Sequence, residues 1–162
     1  LFRSELTKLK GLGPVKAISI IAALEIGKRK EASVIPSKTK VRNSKMIYDH
    51  LKATYQGLNH EEFYVIYLNF ANEILDTVKL SKGGMTSTIV DGKVLFQHAL
   101  SCQATGFIVC HNHPSGNRGP SDADKKLTYK LRDFAKLIDL QLIDHLIFTD
   151  NGYFSFADEG LL

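Results

Sequence analysis

Cysteine is scarce in this chain: 162 residues include two, Cys102 and Cys110. They form no Cys-x-x-Cys pair and lie in an apolar stretch. That argues against a disulfide framework or a thiolate metal site, and both read as small buried hydrophobes. Long apolar runs are also missing. None approaches the roughly 20 residues that span a bilayer, and Leu1-Phe2-Arg3 lacks the pattern of a signal peptide. The expectation is a cytoplasmic protein without a membrane partner. Repeats and low-complexity segments are absent, which sets aside solenoid architectures. The first residue is Leu, not Met, so the chain is expected to belong to a longer one.

What is present suits one well-packed core with a small appendage. The net charge of +4 is unevenly spread. Residues 1–42 hold ten Lys/Arg against three acids, a surplus of +7, and the remainder carries −3. The basic character sits at the N-terminal end.

Residues 5–30 read as two helices, Glu5 to Lys10 and Val15 to Lys28, around Gly11-Leu12-Gly13-Pro14. Glycines free the turn, Pro14 suits a first helical position, and Ile18, Ile21, Ala22 and Ile26 form an apolar stripe. Gly11-Leu12-Gly13-Pro14-Val15-Lys16-Ala17 resembles a helix-hairpin-helix. The resemblance implies that Gly11, Gly13 and Lys16 hold a DNA phosphate without reading sequence. A plain helical hairpin capped by Gly-Pro fits the same residues. Residues 31–42 lack periodicity and read as a linker, so the expected division is 1–30, 31–42 and 43–162.

Beyond the linker, Ser44 to Leu51 predicts a helix with Ile47 and Leu51 inward. Glu62 to Asn69 predicts a buried strand, and Ile74 to Leu80 its hairpin partner. Thr86 to Val90 is ambiguous between loop and short strand. Lys93 to Ser101 predicts a helix with Val94, Leu95 and Ala99 inward. A long helix from Ser121 to about residue 139 precedes two strands, Leu142 to Thr149 and Tyr153 to Phe156. The fold class is α/β: a mixed, largely antiparallel sheet flanked by helices, with a small all-α N-terminal segment.

The chemistry concentrates between Cys110 and Asp124. His111 and His113 are two apart at the end of Gly106-Phe107-Ile108-Val109-Cys110, so an extended backbone projects both imidazoles to one side. Pro114 to Pro120 then forces a tight loop, and Ser121 is a candidate N-cap that puts Asp124 in the first helical turn. Two nitrogens and one carboxylate with a fourth position open is the layout of a catalytic zinc site. Zinc suits this ligand set better than Mg²⁺ or Ca²⁺, with Mn²⁺ and Fe²⁺ as open alternatives. Taken alone, Ser121-x-x-Asp124 also serves as a helix-capping pattern.

The spacing of His111, His113, Ser121 and Asp124 resembles the metal motif of the JAMM (MPN) metalloproteases. The string His-Asn-His-Pro-Ser-Gly, with Asp144-His145-Leu146-Ile147 and Gly152-Tyr153-Phe154-Ser155-Phe156, is similar to the bacterial RadC branch. The resemblance implies a JAMM-type three-layer fold from about residue 43 onward, one zinc per chain, and a Glu base opening the first core strand. That base is expected to be Glu62, next to Phe63, with Glu61 as its rival. Strand alternation sends the two to opposite faces, so one alone can reach the metal. Ser121 is expected to donate to a developing oxyanion. His145 reads as a hydrogen-bonded core residue that could orient a ligand, while His50, His60 and His98 stand outside the site.

Three functions fit. The first is a JAMM-type zinc hydrolase, a metallopeptidase or isopeptidase acting on a protein or peptide with a DNA-associated role. The second is a DNA repair or recombination accessory protein whose helix-hairpin-helix binds DNA and whose metal site is structural or vestigial. The third is a metal-dependent nuclease.

Overall fold

A computed structural model describes residues 3–32, 39–82 and 90–162. The chain divides into two compact units, Leu1–Ser37 and Lys38–Leu162. In the first, α1 (Arg3–Leu6) is followed by α2 (Pro14–Ala32). Gly11 turns the chain at φ +89°, a conformation that favours glycine. Pro14 opens α2, where its missing N–H leaves no bond unmade. Leu6 and Ala17 are buried, but the expected stripe is not: Ile18 and Ile26 are 50% and 68% exposed. A helix of four residues is too short to cover one of 19.

The stretch expected as linker is structured at both ends. α2 continues through Ala32, and Thr39 to Val41 join the second unit. Lys40 bridges Glu73, Ile74 N–H donates to Thr39 O at 3.0 Å, and Val41 N–H donates to Asn72 O at 2.8 Å. Val41 enters the core, which is why its backbone is drawn into pairing. Residues 33–38 lie outside the described residues, as does most of the expected loop or strand at Thr86–Val90.

The second unit opens with α3 (Ser44–Tyr55), capped by Asn43, whose side chain accepts the Met46 N–H. It runs one turn beyond the expected end and buries Ile47, Leu51 and Tyr55. β1 (Glu62–Leu68) and β2 (Ile74–Lys82) make the expected hairpin. α4 (Gly92–Ser101) leads to β3 (Gly106–Asn112), α5 (Asp122–Leu137), β4 (Gln141–Thr149) and β5 (Gly152–Ser155). The sheet order is β2-β1-β3-β4-β5. All neighbours are antiparallel except β3 and β4, which run parallel because α5 carries the chain back between them.

Strand alternation divides the core in two. Phe63, Val65, Tyr67, Phe107 and Val109 pack with Leu95, Phe96 and Ala99 of α4 and with Leu131 and Ala135 of α5. Ile66, Leu68, Ile108, Cys110, Leu146 and Phe148 pack with α3. The result is three layers, α3, sheet, and α4 with α5. Each fully buried Leu, Ile or Phe contributes about 1.5–3 kcal/mol to this arrangement. Val94, expected inward, is 48% exposed, and Phe96 takes that role against Phe107 and Phe134. Among the described residues no helix is long and apolar enough to cross a membrane.

Candidate metal centre

β3 brings His111 to the α5 face of the sheet, opposite Phe63 in register. His113 keeps the extended path for two more residues because its N–H donates to Phe148 O of β4 at 2.8 Å. The loop then tightens. Gly116, at φ +76°, returns its N–H to His113 O at 3.0 Å, and His113 Nδ1–H donates to Asn117 O at 2.7 Å. Ser121 caps α5, and a full capping box joins it to Asp124. Asp124 Oδ2 accepts Ser121 N–H at 2.7 Å and Ser121 Oγ–H at 2.6 Å. Cap and candidate ligand are the same carboxylate.

The three side chains converge. His111 Nε2 lies 3.1 Å from His113 Nε2 and 3.2 Å from Asp124 Oδ1, while His113 Nε2 lies 3.5 Å from Asp124 Oδ2. A tetrahedral ion with bonds of about 2.0–2.1 Å needs ligand atoms about 3.3 Å apart. His113 spends its ring proton on Asn117 and turns a lone pair inward, so nitrogen lone pairs and carboxylate oxygens face one another. Such a set is stable only around positive charge. The residues fit a divalent ion.

Burial alone would raise the Asp124 carboxyl, but the close contacts with His111 and His113 and the hydrogen bond from Ser121 hold it well below the usual carboxylate range. Contact with Asp124 raises the His113 imidazole. His145, fully buried against Phe156, is pushed well below the usual imidazole range by desolvation.

A cleft of about 400 Å³ opens on this cluster, with Glu61, Phe63, Asn117, Ser121 and Leu127 in its walls. A sequence model of the RadC-like JAB domain matches residues 41–161. The chain belongs to the RadC-like JAB domain family. A UPF0758 protein of Flavobacterium johnsoniae is 45% identical over 158 residues, covering 98% of this chain and 69% of that relative. A UPF0758 protein of Porphyromonas gingivalis is 39% identical over 160 residues, covering 98% and 70%.

In this RadC-like domain the expected base, Glu62, lies away from the cleft. Phe63 pairs with His111, so Glu61 shares their face and lines the cleft, while Glu62 points to the α3 side. There Glu62 is buried, with its carboxylate bonded to Lys79 Nζ at 2.6 Å, His60 Nε2 at 2.9 Å and Tyr64 Oη at 3.2 Å. The parity of Phe63 with His111 was the signal, and it becomes readable once the pairing register is known. His60, set aside on sequence grounds, is thus an anchor for Glu62.

Three further residues support the cluster. Asn112, between the two histidines but on the opposite face, binds the backbone of His60 and Glu62. His145 meets His111, and Thr128 meets His145. Thr128 carried no distinctive sequence signal, and Asn112 stood out only as part of the His-Asn-His-Pro-Ser-Gly string. Arg118 reaches across to donate to Asn151 O at 2.6 Å, tying the loop to the β4–β5 turn. Gly11, Gly13 and Lys16 lie in the first unit, where Lys16 Nζ donates to Gly11 O at 3.4 Å.

Proposed function

We propose that this chain is a metal-dependent hydrolase of amide bonds, a metallopeptidase or isopeptidase, with Glu61 as its base. The observation that carries the reading is the placement of His111, His113 and Asp124 at ligand spacing in one cleft with Glu61. A divalent ion held by these three residues, zinc by preference, would supply carbonyl polarisation and a more acidic water. Glu61, in the wall of the same cleft, would accept a proton from water there and return it to the leaving amine. Ser121 N–H keeps Asp124 in place while Ser121 Oγ turns its proton from Asp124 Oδ2 toward the developing oxyanion. Phe63 and Leu127 give the cleft an apolar wall that strengthens these interactions.

A purely structural ion is less well supported. Structural zinc sites close their shell with four protein ligands, whereas this cluster offers three beside a cleft. The test is turnover of a peptide and isopeptide library by the zinc-loaded chain and by Glu61→Gln. Cleavage that requires Glu61 supports the reading. Zinc uptake with no cleavage, alongside cutting of branched DNA, would move it to a nuclease.

The N-terminal unit, in the same reading, adds weak, sequence-independent DNA contact. The turn at Gly11 and the exposed start of α2 at Pro14 suit a phosphate at a helix N-terminus, with Lys10 and Lys16 in the same stretch of sequence.

A further inference from the structure

We propose that Thr128 and His145 fix the tautomer of His111, and that the affinity of the centre for its ion depends on the hydroxyl of Thr128. The inference rests on the reading of His111 as a ligand and adds positioning residues to it.

Three hydrogen bonds in series have determined directions. Thr128 Oγ1 lies 2.6 Å from Asp124 O, one turn back on α5. Two oxygens at that distance need a proton between them, and a carbonyl has none, so the hydroxyl donates there. Thr128 has one proton to give. Its contact with His145 Nδ1 at 2.7 Å must therefore run the other way, with Nδ1–H donating to Oγ1.

His145 is wholly buried, stacked on Phe156 at 4.8 Å and edge-on to Phe63. In these surroundings the ring is neutral and carries one N–H. With that proton on Nδ1, His145 Nε2 is an acceptor. His111 Nδ1 lies 2.8 Å from it and must donate. The His111 proton is thereby held on Nδ1, and Nε2 presents its lone pair toward Asp124 and His113. Only that tautomer can bind an ion at Nε2.

The chain of bonds closes on itself. It starts at the backbone of Asp124, passes through α5, β4 and β3, and ends at Nε2 of His111, beside the Asp124 carboxylate. Thr128 and His145 are both fully buried, so no water competes for these contacts.

The experiment uses the full chain, its Thr128→Val variant, which keeps the side-chain shape without the hydroxyl, and Thr128→Ser, which restores it. Long-range ¹H–¹⁵N spectra of the imidazoles report the tautomers directly, and competition with a chromophoric chelator reports zinc affinity. The expected result is an Nδ1–H tautomer at both His111 and His145 in the wild type. Zinc affinity should fall about 10-fold or more in Thr128→Val and recover in Thr128→Ser. Unchanged affinity in a folded Thr128→Val chain overturns the inference and leaves the metal reading standing. An Nε2–H tautomer at either histidine in the wild type also overturns it, whether or not the variants fold. A wild type that takes up no zinc removes the metal reading and this inference together.

Discussion

Asn112 holds the peptide on both sides of Glu61. Its Oδ1 accepts the N–H of Glu62 at 2.8 Å, and its Nδ2 donates to the carbonyl of His60 at 3.0 Å. One side chain between the two candidate histidine ligands thus anchors the residue proposed as base. Removing it should leave the ion and move the base. Asn112→Ala is expected to keep its zinc while losing about 100-fold in turnover, the usual penalty for a misplacement of about 1 Å. Zinc content and single-turnover rates measured on the same sample check this. Loss of zinc in Asn112→Ala would show that Asn112 supports the histidines instead.

Metal removal offers a second check. Elemental mass spectrometry of the purified chain should find about one zinc per chain, as the three-ligand set requires. His113→Ala and Asp124→Asn should lose it. Saturating zinc should raise the melting temperature of the wild type and not of these variants, because an ion that binds only the folded state stabilises it by mass action.

Glu61 and Glu62 should separate cleanly. Glu61→Gln is expected to lose about 10²–10⁴-fold in turnover, the range of a general base, with unchanged zinc content and melting temperature. Glu62→Gln should keep its turnover and melt at a lower temperature, since Lys79 and His60 lose a buried carboxylate partner.

The same residue predicts a pH dependence. Burial raises the Glu62 carboxyl, but the bonds from Lys79 and His60 outweigh it and leave the group below its ordinary 4.5. A depressed carboxylate stabilises the fold above its unfolded pKa and loses that contribution as pH falls through the folded one. The melting curves of wild type and Glu62→Gln should therefore differ most near neutrality and converge as the pH drops below about 4.5. A difference that grows in acid would contradict this account.

The N-terminal unit makes its own prediction. Full chain on a short duplex should bind weakly, with log K falling about 0.9 per phosphate neutralised for each unit of log salt. Lys10→Gln with Lys16→Gln should weaken binding equally for unrelated sequences. Binding that is indifferent to both substitutions would remove the hairpin from any DNA role.

The secondary structure was largely legible, because periodicity is local. The β-branched and aromatic run of β1, the apolar run of β3 and the Ser cap of α5 could each be read from a few neighbouring residues. The motif likewise announced His111, His113 and Asp124, since a loop fixed by Pro114 and Pro120 carries the last to the first two. The choice between Glu61 and Glu62 was not legible, because both glutamates precede Phe63 and it turns on which face Phe63 takes, a matter of pairing with His111. Val94 misled for a related reason: helical spacing permits 94 or 96 beside 95 and 99, and the aromatic partners Phe107 and Phe134 decide. Thr128 and His145 meet across a helix-to-strand crossover, a contact that no local pattern encodes.

The capping box at the start of α5 gives the centre a kinetic character. Ser121 holds Asp124 Oδ2 through two bonds, leaving Oδ1 turned toward His111. Much of the rotamer freedom that ligation would otherwise freeze is already surrendered when the helix forms. Capture of an ion by this domain should then proceed without a folding step, and release should leave the first turn of α5 intact.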